Sequence, residues 1–181
     1  IVGSASHDQQ GVAKPAGRAP AGIVRPRLLR LGQAPGKDTM LRRATPADAD
    51  ALSELARECF RQTFAHLYAA EDLATFLDEA YAPSVLRSEL KEPDRATWLL
   101  FAEEHDESGT AAARPIGYVS ARPARLPHPE VAAGDGEIQR LYVLREYQGD
   151  GRGTLLLETA LAWLERHGPR TLWIGGWSEN L

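Results

Sequence analysis

Residues 147–164 read YQGDGRGTLLLETALAWL, with Gly149, Gly151 and Gly153 inside five residues and an apolar helical run directly after them. Glycine is among the poorest residues for starting a helix, so three at alternate positions call for a reason. A helix start exposes unpaired backbone N–H groups and the positive end of its dipole. Glycines remove the side chains that would hold an anion away from those groups. The segment follows the strand-like GEIQRLYVL (136–144). Strand, glycine turn and helix together make a cradle for a phosphate or pyrophosphate. The plainer reading, a flexible turn, does not ask for glycines at alternate positions.

The surrounding elements predict a mixed α/β domain. LRRAT (41–45) is a short strand candidate, and Thr45-Pro46-Ala47-Asp48 supplies an N-cap, a first-turn proline and an acid three residues on. Leu52, Leu55, Ala56 and Cys59 then recur at helical spacing, which predicts a helix from Pro46 to Phe60. EDLATFLDEAY (71–81) predicts a second helix, interrupted at Pro83, with SVLRSEL adding one or two turns. ATWLLFAEE (96–104), IGYVSARPA (116–124) and GEIQRLYVL read as consecutive antiparallel strands. A helix over 151–167 stops at Gly168-Pro169, and TLWIGGW (171–177) is a further buried strand.

Composition narrows the class. No stretch approaches the roughly 18 consecutive apolar residues of a membrane span, and IVGSASHDQQ lacks the basic-then-apolar order of a secretory signal. Cys59 is the only cysteine, so an intrachain disulfide and a cysteine metal cluster are excluded. The five histidines have no metal-ligand spacing, so no metal is expected. A cytoplasmic setting follows as the plain expectation. Residues 1–39 contain no aromatic residue, hold ten Gly or Pro and carry a net charge of +4. This segment is read as a disordered basic leader ahead of a domain over 40–181. The total charge is −4, which leaves the remainder at −8. An acidic body argues against nucleic acid or a membrane as partner and suits a cationic small substrate; acidity that merely maintains solubility is the blander alternative.

The glycine turn is not a Walker A loop, because no Gly-Lys-Ser/Thr is present, and Thr154 breaks a GxGxxG dinucleotide fingerprint. Gln148-Gly149-Asp150-Gly151-Arg152-Gly153 instead resembles Q/R-x-x-G-x-G/A, the pyrophosphate loop of the GNAT family of acyl-CoA-dependent N-acyltransferases. The likeness extends to the flanking strand, helix and strand. CFRQTFAHLYAAEDLATFLDEAYAPSVLRSEL, EIQRLYV and LWIGGWSEN resemble the PaiA-like branch, whose members acetylate polyamines. The resemblance covers Met40 to Leu181. It implies the GNAT fold, a mostly antiparallel mixed sheet with flanking helices, ending before the family's final helix and strands. The strand edge left exposed would be open to aggregation or to pairing with a second copy in a homodimer.

The resemblance also implies acetyl-CoA as co-substrate, lying where two strands splay. Leu141, Tyr142 and Val143 would pair with its pantetheine arm through their backbone. The amides of Gln148, Gly149, Asp150, Gly151, Arg152 and Gly153 would hold the pyrophosphate, with Thr154 at the helix start and Asn180 reaching the arm. Asp150 puts an acid in the cradle and must point outward. Acetyl transfer to a primary amine needs a base, since a lysine-like amine has a pKa near 10.4. Glu137 is the candidate; alternation puts it on one face with Gln139 and Leu141. The alternative is that Glu137 pairs with Arg140 or solvent. The family's usual general acid, a tyrosine in N-x-x-A-x-x-F-Y, would lie beyond Leu181. Glu58, Glu71, Asp72, Asp78 and Glu79 fall in the helices that border the acceptor site. Phe60, Phe64, Tyr68 and Phe76 read as core or cleft wall. Gln139 stands where the PaiA-like pattern tends to have glutamate. Two other functions stay open: an acyl-CoA-binding module without activity, and transfer to a protein N-terminus or an aminoglycoside-like amine.

Overall fold

The computed structural model describes residues 22–23, 39–105, 111–166, 168 and 171–174. The strands are β1 (Gly22–Ile23), β2 (Thr39–Arg43), β3 (Ala96–His105), β4 (Ala111–Pro123), β5 (Gly136–Val143) and β6 (Leu172–Ile174). The helices are α1 (Ala49–Phe64), α2 (Ala70–Ala80), α3 (Pro83–Glu89) and α4 (Arg152–Glu165). One sheet orders the strands β1-β6-β5-β4-β3-β2. Only the β5–β6 pair is parallel. The mixed, mostly antiparallel sheet expected from the sequence is therefore the architecture found. Within the segment read as a disordered leader, Gly22, Ile23 and Thr39 sit in strands, and its other residues lie outside the described ones.

The Thr45–Asp48 signal works as the sequence proposes. The Asp48 carboxylate accepts from the Thr45 amide at 2.8 Å and from its hydroxyl at 2.9 Å. A 3-10 turn over Pro46–Asp48 leads into α1, which continues past the expected Phe60 to Phe64 because Phe60 and Phe64 both bury against the core. Pro83 starts α3 rather than breaking a helix, as its missing N–H permits in a first turn. β4 begins at Ala111, within the stretch read as loop, because Ala111–Ala113 pair with Glu103–His105.

Two cores cover the two faces. The α1–α3 face buries Phe60, Leu77, Tyr81, Leu99, Tyr118 and Tyr142, with Phe60 4.8 Å from Phe64 and 4.7 Å from Phe76 between ring centroids. Phe60, Phe64, Tyr68 and Phe76 thus belong to packing in and around this core. The α4 face buries Leu100, Ile116, Val119, Leu141, Leu156 and Leu164. At Gly136 a Cβ would meet the Leu164 and Leu172 side-chain tips at 2.9 and 3.0 Å, so a larger residue there would push these leucines aside.

Candidate active site

The site is built on β5 and the turn that follows it. Ser120 pairs with Arg140 and Ala121 with Ile138, which leaves Gln139 as an extra residue, a β-bulge. The bulge changes which way the strand's ends face. Leu141 and Ile138 pack in the α4-side core, whereas Tyr142 packs with α1–α3 and Glu137 faces Arg122. The alternation expected of Glu137, Gln139 and Leu141 is therefore corrected: Glu137 and Leu141 lie on opposite faces. β6 pairs with β5 only from Gly136↔Leu172 to Ile138↔Ile174 among the described residues.

After Val143 the chain makes one 3-10 turn, Arg145–Tyr147, and enters the glycine segment. Gly149, Asp150 and Gly151 have φ of +94°, +43° and +74°, three consecutive residues in the left-handed region that favours glycine. This geometry turns successive amides toward one side. Gly151 caps α4, its carbonyl accepting from Leu155 at 2.9 Å. Among the described residues, no acceptor pairs with the amides of Gly151, Gly153 or Thr154. A Cβ at Gly149 or Gly153 would meet nothing within 4 Å. Unpaired amides facing open space are what a pyrophosphate needs, so these residues fit that group.

The side chains of the turn are occupied elsewhere. The Asp150 carboxylate is 74% exposed and pairs with Arg152 at 3.2 Å, so it points outward as the cradle requires. Arg152 also donates to the Tyr147 carbonyl at 3.1 Å, and Gln148 donates from its side chain to the Val143 carbonyl at 3.0 Å. The Tyr147 hydroxyl donates to Glu104, which also accepts from Arg114 at 3.1 Å. Those two donors hold the Glu104 carboxyl below its ordinary pKa, and Glu104 in turn raises that of the Tyr147 phenol. The turn is thereby fastened to β3, the amides of Gln148 and Arg152 donate to the Arg145 and Gly149 carbonyls at 3.2 Å each, and those of Gly151, Gly153 and Thr154 stay free.

A cleft of about 330 Å³ opens beside it, lined by Thr63, Leu141, Tyr142, Val143, Gln148, Gly149 and Gly153. Six of the residues expected at the cofactor come together there. Asp150, Gly151, Arg152 and Thr154 form the turn and helix start without lining the cleft, and Asn180 lies outside the described residues. Thr63, from α1, had no distinguishing signal in the sequence; it comes to the cleft because α1 packs across β5.

Glu137 does not line this cleft. It lies four residues before Leu141, the nearest β5 residue that lines the cleft, roughly 13 Å along the strand. It is fully buried and accepts from the Arg125 amide at 2.8 Å. Its ionic partner is Arg122, at 3.5 Å, and not Arg140, which pairs with Glu89. Of the five helical acids, Glu71, Asp72, Asp78 and Glu79 are exposed, and Glu58 is half-buried. Among the described residues no group of His, Cys, Asp and Glu could hold a metal ion, and no helix is long and apolar enough to cross a membrane.

Residues 49–181 match the Acetyltransferase (GNAT) family. The chain is 28% identical over 126 residues to an uncharacterized N-acetyltransferase in the pepI 3′ region of Lactobacillus delbrueckii subsp. lactis, covering 70% of this chain and 68% of that one. In fold it is similar to the PaiA N-acetyltransferase of Thermoplasma acidophilum in complex with coenzyme A, with TM-score 0.57 and 24% identity over 72% of this chain and 74% of that one. It is also similar to an aminoglycoside N-acetyltransferase in complex with coenzyme A, with TM-score 0.54 and 14% identity over 78% and 79% of the two chains. With residues 49–181 matched, the greater part of its length, the chain belongs to the GNAT acetyltransferase family, whose enzymes take their acetyl group from acetyl-CoA.

Proposed function

We propose that this protein moves an acetyl group directly from acetyl-CoA to a primary amine of a small, polycationic acceptor of the polyamine kind. The observation that carries the reading is the cleft running from Leu141–Val143 to Gly149 and Gly153, beside unpaired amides at the start of α4. When bound, acetyl-CoA supplies an activated thioester carbonyl. The amides of Gly149, Asp150, Gly151 and Gly153 and the positive end of α4 balance the pyrophosphate charge, with Thr154 beside them, while Gln148 and Arg152, whose amides are held within the turn, shape it. The backbone of Leu141, Tyr142 and Val143 orients the pantetheine arm, and Asn180 is assigned to the same arm on the family resemblance.

Glu137 is assigned the role of general base, because a protonated amine has no lone pair for attack. The amine would reach it from the side of the β4–β5 connection, where Arg125 now covers it. The polyamine preference is supported by the net charge of −8 beyond residue 39 and by the exposed Glu71, Asp72, Asp78 and Glu79 on α2.

The test is calorimetric titration with acetyl-CoA beside a Gly151→Glu variant. Binding by the parent chain and none by the variant is expected; a folded parent that does not bind overturns the reading. Thiol release with spermidine, an aminoglycoside and a short peptide then reports the acceptor. Spermidine should be preferred, and binding without turnover of any amine would make the protein a carrier of acetyl-CoA rather than an enzyme.

A further inference from the structure

Arg122 and Glu137 are direct neighbours across β4 and β5, 6% and 0% exposed. Their contact is loose. Arg122 Nη2 stands 3.5 Å from Glu137 Oε1, and Nε stands 3.5 Å from Oε2. Nε is buried and completes no hydrogen bond in this arrangement. Oε2 is instead engaged by the Arg125 amide at 2.8 Å. Arg140 and Glu89, on the same face, meet at 2.6 and 3.3 Å through both terminal nitrogens.

Burying two charges costs more than a poorly aligned pair returns, and an apolar pair of the same size would often do as well. Burial accordingly lowers the Arg122 pKa in spite of Glu137 beside it. Stability therefore gives no account of Arg122. Its geometry gives another: an unsatisfied Nε–H faces the carboxylate oxygen that a loop amide now holds.

We propose that Arg122 is a positioning residue for acetyl transfer, holding the Glu137 carboxylate on the α1–α3 face of β5 when an incoming amine displaces the Arg125 amide. The inference rests on the general-base reading of Glu137. One ammonium proton passes to Glu137, the freed lone pair attacks the acetyl-CoA carbonyl, the C–S bond breaks, and the second amine proton goes to the departing sulfur, so coenzyme A leaves as the thiol. Arg122 stays protonated throughout. The charged and titratable groups around the pair are Arg125 from the connection, Arg95 and Glu92 ahead of β3, and His128 and Asp135 against Trp173 on β6.

Kinetics on the full chain test this. With spermidine and acetyl-CoA, Arg122→Gln should lower kcat about ten-fold or more and leave the KM for acetyl-CoA within about two-fold, the general-base contribution being about 10²–10⁴. Arg122→Lys should restore most of the loss. In the Glu137→Gln background, Arg122→Gln should change kcat by less than about two-fold, since both act through one carboxylate. Arg122→Met serves in its place should the glutamine variant not fold. Parent-like kcat in Arg122→Gln, or losses that multiply in the double variant, overturns the assignment of Arg122. Parent-like kcat in Glu137→Gln overturns the general-base reading itself, and this inference with it.

Discussion

Arg140 holds Glu89 through both of its terminal nitrogens, at 2.6 and 3.3 Å, and so joins α3 to β5 in the interior. The guanidinium also lies 5.2 Å over the Tyr81 ring. Burial opposes its charge, but Glu89 and the neighbouring tyrosines outweigh that effect and raise its pKa. Replacing Glu89 by alanine leaves a buried cation without its main partner, which should cost about 3–5 kcal/mol. Urea denaturation of Glu89→Ala checks this, and an unchanged midpoint would show that the pair is not what joins the two elements.

Gly153 separates stability from binding. It lies in the first turn of α4, has open space where a Cβ would stand, and is not in the left-handed region. Gly153→Ala should therefore stabilise the fold by up to about 1 kcal/mol. The loop pattern that this turn resembles accepts alanine at this position, so affinity for acetyl-CoA should stay within about two-fold. On one sample, thermal denaturation should move and calorimetry should not.

Asp48 makes the N-terminal edge of the domain sensitive to acid. The hydrogen bonds from Arg42, at 2.6 and 2.9 Å, together with those from Thr45, hold its carboxyl well below the usual carboxylate range. A pKa lowered by folding contributes stability above the unfolded value, about 3.9, and that contribution is lost as pH falls toward the folded one. The stability gap between the parent and Asp48→Asn should be constant from pH 7 to pH 5 and narrow below pH 4. Urea midpoints across that range report it; a gap that grows on acidification would contradict the assignment.

Cys59 should be chemically silent. It is buried in the α1–α3 core, and burial first, then Glu58 and Glu146, push its thiol up to about 12. The thiolate is the reactive form. A thiol reagent at pH 8 should label the protein only in denaturant, at one site per chain, as intact-mass analysis would show.

Much of the site could be read from the sequence because its signals are local. The strand-forming runs of β3 and β5, the glycines before α4 and the Thr45–Asp48 start all depend on residues within a turn or two of each other. The outward Asp150 also follows from the short range over which a carboxylate acts on neighbouring amides. Pairing across strands is different. The bulge at Gln139 arises from register with Ser120 and Ala121, nearly twenty residues earlier, and no periodicity within β5 announces it. The same is true of Arg122 as the partner of Glu137 and of Thr63 at the cleft, both brought in by tertiary packing. Arg140 was the nearer cation in sequence; the sheet gave it to Glu89.

The bulge gives the residue count of β5 a meaning of its own. Downstream of Gln139 the strand is in phase with the cleft, and upstream it is in the opposite phase. Were Gln139 instead paired in register, strict alternation would turn Glu137 to the Leu141 face, toward Leu164 and Leu172 in the apolar layer under α4. Between the acid and the cleft, then, spacing is as much a part of the chemistry as identity. A graft of this strand onto another scaffold would keep the acid on its face only if Gln139 stayed out of register there.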